Sequence, residues 1–360
     1  MSFTFDVQKD DLTQSRMTTS EANSENETDN SVWVKTEKFA FSANNITYAA
    51  FGRSMSYWDI FPRDEDWGNI PVWGNATVIK SNRDDIKVGQ RLFGVFPMAT
   101  EAMLNLMELV PGFMLENSEH RSTVSPVYNR YTLIPEDKGQ MPENAENATI
   151  IFRPLFITAY LLALHLQDNK CFGAKQIVMT SASSKTAICL SHYLKDLGVD
   201  VEVVGLTSPK NKSFVANLGS YDDAVTYDDL SAVAGKGPAV IVDFAGDPEL
   251  IEKLKANLTE NFIKAIGIGA ADWQASENDR NLPDEDMDFF FAPIHINQRT
   301  KDWGPVEFQK RMAGAWMSLL PEVIKWIQIK QLSGPENIQE VYVKMLNNQI
   351  DPTEGYVLSF

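Results

Sequence analysis

The residues best suited to chemistry lie in one short turn, Thr180-Ser-Ala-Ser-Ser-Lys-Thr-Ala187. It follows an apolar run at Lys175–Ser181 with the composition of a buried strand, and it opens a stretch, Lys185–Leu197, whose apolar residues recur at helical spacing. A strand–turn–helix of this kind aims backbone N–H groups and the positive end of a helix at an anion. Ser183, Ser184 and Thr186 add hydroxyl donors, and Lys185 adds the positive charge that an acidic protein needs to attract a phosphate. The turn has no glycine, whereas G-x-G-x-x-G loops use glycine to bring backbone amides against a pyrophosphate. Serine ahead of a helix serves equally well as an N-cap, so both roles stand open for Ser183 and Ser184. Lys-Thr also ends the G-x-x-x-x-G-K-[ST] phosphate loop, but the two glycines of that motif would fall at Met179 and Ser184 and are missing.

The next strand carries a second signal. In dinucleotide folds its end usually holds an acidic residue against the ribose hydroxyls of NAD. Here Val201–Gly205 runs into Leu206-Thr-Ser-Pro-Lys-Asn-Lys212, with no carboxylate. Thr207, Ser208 and Lys212 suit a 2′-phosphate, so NADPH is expected over NADH. Lysines that open a surface helix are also often merely solvated. His295, in FAPIHINQR, follows an expected strand at Phe289–Pro293 and is a candidate acid or base near neutrality, although a lone histidine there is more often structural. Arg299 and Trp303 lie just beyond it, while His165 and His192 fall on apolar helix faces and read as packing.

Elements that position these residues can be followed along the chain. Residues 11–31 are polar and acidic and read as a mobile segment after a first strand. From Val32 to about residue 153, short alternating or apolar runs punctuated by Gly, Pro and Asn predict an irregular β-rich domain. Pro154–Leu166 predicts a helix that opens on its proline. Strands at Lys175, Val201, Ala239 and Phe262 then alternate with helices at Lys185, Asn211 and Pro248, which predicts a doubly wound, Rossmann-like parallel sheet over 154–301. A helical stretch from Pro305 to about Gln331, then helix, turn and strand, completes a C-terminal part, 302–360, expected to return to the first domain.

Composition narrows the partners. Lys and Arg number 32 against 49 Asp and Glu, a net charge of −17, which repels nucleic acid and anionic membranes. No uninterrupted apolar run approaches the ~18 residues of a membrane span. The start, MSFTFDVQKDDLTQ, lacks a secretory pattern, so a cytoplasmic location is expected. Two cysteines, Cys171 and Cys189, and four histidines in no ligand spacing predict no structural metal.

These segments, in this order, resemble the medium-chain dehydrogenase/reductase superfamily, and within it the zinc-free quinone oxidoreductase and enoyl reductase branch. The resemblance rests on Ser42–Tyr48, on Ile86–Gly94 (with Gln90 where the family has Asp), on Thr158-Ala-Tyr160, on Ser208–Gly219 followed by Asp223 and Tyr227, on Asp243-Phe-Ala-Gly246 and on Ile266–Gly269. Lys185 and Ala187 fall on glycines of the family's phosphate loop. ANNITY, PVWG, SASSKTA, GLTSP and the final GYVLSF are similar to one branch that is a domain of unknown function. The resemblance implies a GroES-like catalytic domain, a homodimer, a small-molecule substrate, and Gly246, Gly267 and Gly269 beside the cofactor. It also implies an active-site loop at Ser42–Tyr48, in which Asn45 orients substrate or nicotinamide and Tyr48 stabilises or protonates an enolate. Tyr48 could equally pack the core, and the aromatic stretch Tyr57–Pro62 with Trp67 could line a pocket or a subunit contact. The function expected is NADPH-dependent reduction of an activated double bond or quinone. A catalytically silent small-molecule-binding protein on the same fold is the alternative that the glycine-free turn keeps open.

Overall fold

A computed structural model describes residues 2–20, 27–110, 112–134, 141–268 and 287–360. The chain divides into two units, Met1–Ile151 with Val323–Phe360, and Phe152–Glu322. Both boundaries fall inside helices, Glu143–Asp168 and Pro305–Trp326.

The first unit is β-rich. An eight-stranded sheet runs in the order Gln328–Ser333, Glu354–Ser359, Ser31–Phe41, Pro71–Ser81, Arg91–Pro97, Arg130–Ile134, Phe113–Glu116 and Glu101–Val110. Its first pair is parallel and the other neighbours are antiparallel. Ser31–Lys35 also pairs with Glu101–Asn105, which closes part of the sheet on itself around Val32, Val34, Leu92, Phe96, Leu106 and Tyr131. A smaller sheet orders Ser15–Ser20, Ser2–Gln8 and Trp67–Gly68. Two expectations change here. Part of the polar segment 11–31 is not a mobile tail, because Ser15–Ser20 pairs with the first strand over six registered residues. Backbone bonds and β-branched threonines hold such an edge strand without an apolar signal. The helix expected from Pro305 to Gln331 stops at Trp326, and Gln328–Ser333 is an edge strand.

In the second unit six parallel strands order as Asp223–Thr226, Glu202–Thr207, Gln176–Met179, Ala239–Asp243, Phe262–Gly267 and Met287–Phe289. Numbered along the chain, that order is 3-2-1-4-5-6, the doubly wound arrangement in which ligands bind where the order reverses, between the first and fourth strands. The strands are near-continuous apolar runs because both faces of the sheet are covered. Ile177, Val178, Val204, Leu206, Val240 and Ile241 are all fully buried.

The Glu143–Asp168 helix begins eleven residues before Pro154, which lies inside it. Packing outweighs the proline's missing donor, since Phe152, Ala159, Leu162 and Leu166 are all fully buried. Among the described residues this is the one helix long and apolar enough to cross a membrane, and most of its apolar window is buried inside the protein, as in a core helix.

Gly205, in the second strand, lets the turn after the first strand settle onto the sheet. A Cβ there would come within 2.9 Å of the Ala182 side chain and 2.9 Å of the Tyr221 ring. Gly205→Ala is expected to destabilise the protein by about 1–3 kcal/mol in urea unfolding. An unchanged midpoint would show that the turn does not depend on this close approach.

Candidate functional site

The reversal of strand order brings the ends of the first and fourth strands together, and one hydrogen bond joins them. The Thr180 hydroxyl donates to Asp243 Oδ1 at 2.5 Å and accepts from the N–H groups of Phe244 (2.9 Å) and Ala245 (3.1 Å). The Asp243 carboxylate also accepts from the N–H groups of Ala245 (3.0 Å) and Gly246 (3.1 Å). Burial raises the Asp243 carboxyl above the usual carboxylate range, and the hydrogen bonds oppose that rise. Gly246, at φ +73°, completes the turn. Gly267 ends the fifth strand, where a Cβ would meet the Met287 side chain at 2.8 Å. Gly269 lies outside the described residues.

The turn Thr180–Ser184 leads into the helix Lys185–Asp196. Ser184 is its N-cap, accepting from the Ala187 N–H at 3.4 Å, so the capping role is realised. Ala187 is fully buried, where the family's last glycine lets helix and strand approach, and alanine is small enough to do the same. Lys185 and Thr186 occupy the first turn of the helix, whose N–H groups have no intrahelical acceptor. Ser181 stands at φ +49°, a left-handed conformation that costs a residue with a side chain about 1–2 kcal/mol.

Thr207 ends the second strand and is buried, with its hydroxyl 3.5 Å from Ser183 Oγ. Asn211 Nδ2 donates to the same Ser183 oxygen at 3.1 Å. Ser208 precedes the short Pro209–Asn211 turn, and Lys212, exposed, opens the helix Lys212–Asn217. The hydrogen bonds of this group join hydroxyls and an amide, a polarity that suits an anion, while Lys212 also acts on the Asp223 carboxylate. Asn211 and Tyr221 belong to this site but carried no sequence signal of their own. Thr180 was visible as the start of the turn, but its bond to Asp243 follows only from the strand order.

His295 follows a strand, but that strand is Met287–Phe289 rather than the expected Phe289–Pro293, and His295 lies on the helix Ala292–Trp303, whose Pro293 fits a first helical turn. Its ring stacks on Phe290 at 4.0 Å and meets His165 edge-on at 5.2 Å. Partial burial, His165 and Arg299 lower its pKa to about 4, which favours the neutral imidazole at physiological pH. Arg299 pairs with Asp168, and Trp303 lies under the guanidinium groups of Arg299 (5.2 Å) and Arg311 (4.4 Å). His192 Nε2 lies 2.9 Å from Ser318 Oγ.

In the first unit, the expected loop at Ser42–Tyr48 is a helix, Ala43–Ala50, closed by a capping box. Asn45 supplies that box, its Oδ1 accepting from the Ser42 N–H at 2.9 Å, and its Nδ2 donates to the Pro71 carbonyl at 3.0 Å. Both ends of the amide are therefore engaged with backbone. Tyr48 is buried against Tyr57 (4.7 Å) and Tyr128 (5.8 Å), and its hydroxyl accepts from Trp73 Nε1 at 3.2 Å. Burial raises the phenol above its usual range. Tyr57 and Trp58 are core, and Trp67 lies under Arg16 at 4.1 Å. Among the described residues no group of three or more His, Cys, Asp or Glu is placed to hold a metal ion.

The family model described as "Protein of unknown function (DUF2855)" matches residues 39–351. The chain belongs to this family. Curated proteins gave no sequence match. Among solved structures, the fold is similar to CurA from Vibrio vulnificus (TM-score 0.67, 13% identity, covering 99% of this chain and 98% of that one). It is also similar to the complex of CurA with NADPH (TM-score 0.64, 12% identity, 96% and 93% covered). A third is the yhdH oxidoreductase from Salmonella enterica in complex with NADP (TM-score 0.54, 13% identity, 100% of both chains). At such identities the likeness establishes a shared fold. The family model bears out the placement in a branch of unknown function, and the solved structures share its fold.

The lowered pKa of His295 sets a sign for its effect on stability. The folded protein binds fewer protons at this site than the unfolded chain between about pH 4 and the ordinary histidine value of 6.5. Its contribution is therefore complete above pH 6.5 and is lost as pH falls through that window. Histidine NMR is expected to show His295 uncharged at pH 5.5, and titration near 6.5 would contradict the stacked environment.

Proposed function

We propose that this chain is an NADPH-dependent, zinc-free reductase of a small molecule bearing an activated double bond or quinone. The observation that carries the reading is the join at the reversal of strand order. There a hydroxyl-rich, lysine-bearing turn and the start of a helix stand beside a second-strand end without a carboxylate. The likeness in fold to structures that hold NADPH or NADP supports the same reading.

The residues present fit the cofactor as follows. Ser183, Ser184, Lys185 and Thr186 would hold the pyrophosphate, with the helix dipole adding to the lysine's charge. Thr207, Ser208 and Lys212 would take the 2′-phosphate. Gly246 and Gly267, at the ends of the fourth and fifth strands, would flank the nicotinamide half, with Gly269 read in the same role. When bound there, NADPH would supply a hydride, to the β-carbon where the substrate is an activated double bond.

The first unit is read as a GroES-like catalytic domain, with Tyr48 as proton donor to the enolate. The phenol is protonated at neutral pH; burial makes it a weaker acid, and the Trp73 N–H opposes that effect by stabilising the phenolate left after transfer. Asn45 positions Tyr48 by capping its helix. His295 is assigned to packing.

The test is NADPH oxidation with a panel of enones, enoyl thioesters and quinones. Turnover is expected with at least one of them. Tyr48→Phe should lower kcat about 100-fold without changing the KM for NADPH. Wild-type kcat in that variant would remove Tyr48 from the mechanism. A silent binding protein is the second reading, favoured by loop amides at Ser181 and Ala182 that are already bonded within the protein. NADPH binding with no turnover of any acceptor would select it.

A further inference from the structure

The turn assigned to the cofactor's pyrophosphate is held from outside by two tyrosines. Ser181 keeps a left-handed backbone that glycine would adopt without penalty, and the turn has no glycine. Its N–H donates to the Tyr227 hydroxyl oxygen at 2.9 Å. Tyr227 follows the third strand directly, and its own N–H donates to the Thr207 carbonyl at 3.2 Å. The side chain thus reaches from the third strand, past the second, to the turn after the first. The next peptide is held on both sides: the Ala182 N–H donates to the Leu206 carbonyl at 2.9 Å, and the Ala182 carbonyl accepts from the Tyr221 hydroxyl at 2.9 Å. Tyr221 is buried, whereas Tyr227 is only partly so.

We propose that Tyr227 is a positioning residue for cofactor binding: its hydroxyl fixes Ser181 in the left-handed conformation and so presents the Ser183–Thr186 donors to a dinucleotide phosphate. This rests on the reading that the turn receives NADPH. The hydroxyl here does for the backbone what glycine does in a G-x-G-x-x-G loop. Glycine makes the conformation free of penalty, whereas Tyr227 selects it with a hydrogen bond. The two solutions are interchangeable, which gives the proposal its test.

The full-length protein, its Tyr227→Phe variant and the double variant Tyr227→Phe/Ser181→Gly are titrated with NADPH by nicotinamide fluorescence. Losing the hydroxyl is expected to weaken binding roughly tenfold, the effect of one buried hydrogen bond. Glycine at 181 should bring the double variant back to within about threefold of wild type, because glycine tolerates the conformation unaided. A tyrosine that merely supported the fold, or that touched the cofactor directly, would not be rescued by a change at residue 181. Equal binding by wild type and Tyr227→Phe overturns the proposal, as does a double variant no better than the single one. Hydrogen exchange of the backbone at 180–184 supplies a readout that needs no ligand. Exchange there should quicken roughly tenfold in Tyr227→Phe, and unchanged exchange overturns the proposal. If the wild type binds no NADPH, the cofactor reading fails by itself, and the exchange comparison still decides whether Tyr227 holds the turn.

Discussion

The bond between Thr180 and Asp243 is the constraint on which the site depends. In a doubly wound sheet, the helices that follow the first and fourth strands leave on opposite faces, and a crevice opens between the two strand ends. Nothing in the ladder itself fixes that crevice, because the backbone pairing of the two strands ends with Met179 and Val242. The Thr180 hydroxyl continues the join beyond the ladder, and the amides of Phe244, Ala245 and Gly246 complete it. A buried carboxylate with too few donors would be costly, and this one is satisfied by three, the Thr180 hydroxyl and the N–H groups of Ala245 and Gly246. The Asp243 turn and the turn that begins at Thr180 are thereby joined.

Charge sets the second constraint. A protein with a net charge of −17 repels a polyanionic cofactor at long range, so attraction must be local and short. In the proposed reading the helix start, Lys185 and the hydroxyls of Ser183 and Thr207 would supply that attraction, and Asn211 donates to Ser183. With no glycine in the turn, the backbone cannot approach a phosphate as closely as in a glycine-rich loop, and side-chain donors carry more of the recognition. The glycine that remains essential is Gly205, which lies beneath the turn rather than in it.

Most of the second unit was legible in the sequence because buried parallel strands are short, unbroken apolar runs separated by helices of regular spacing. Ser15–Ser20 and Gln328–Ser333 were not, since edge strands are held by backbone bonds and carry little apolar pattern. Ser42–Tyr48 was expected as a loop from the family resemblance, yet Asn45 is spent in capping the helix Ala43–Ala50 that contains it. The donors of the phosphate turn were visible as a local run of hydroxyls. The groups that hold the turn were not, because Tyr221 and Tyr227 lie 39 and 46 residues from the atoms they bond. Hydrogen bonds of that span follow from strand order, not from any local pattern. The surroundings of His295 were equally hidden, since the ring of Phe290 that stacks on it comes from the chain segment ahead of its helix.

The central claim is that a glycine-free, hydroxyl-lined turn at the reversal of strand order binds a phosphorylated dinucleotide. Parallel titration of the purified protein with NADPH and NADH, followed by nicotinamide fluorescence, tests it most directly. The account predicts saturable binding of NADPH, about tenfold tighter than NADH, from the added 2′-phosphate at Thr207, Ser208 and Lys212. Binding of neither dinucleotide, or equal binding of both, would contradict it.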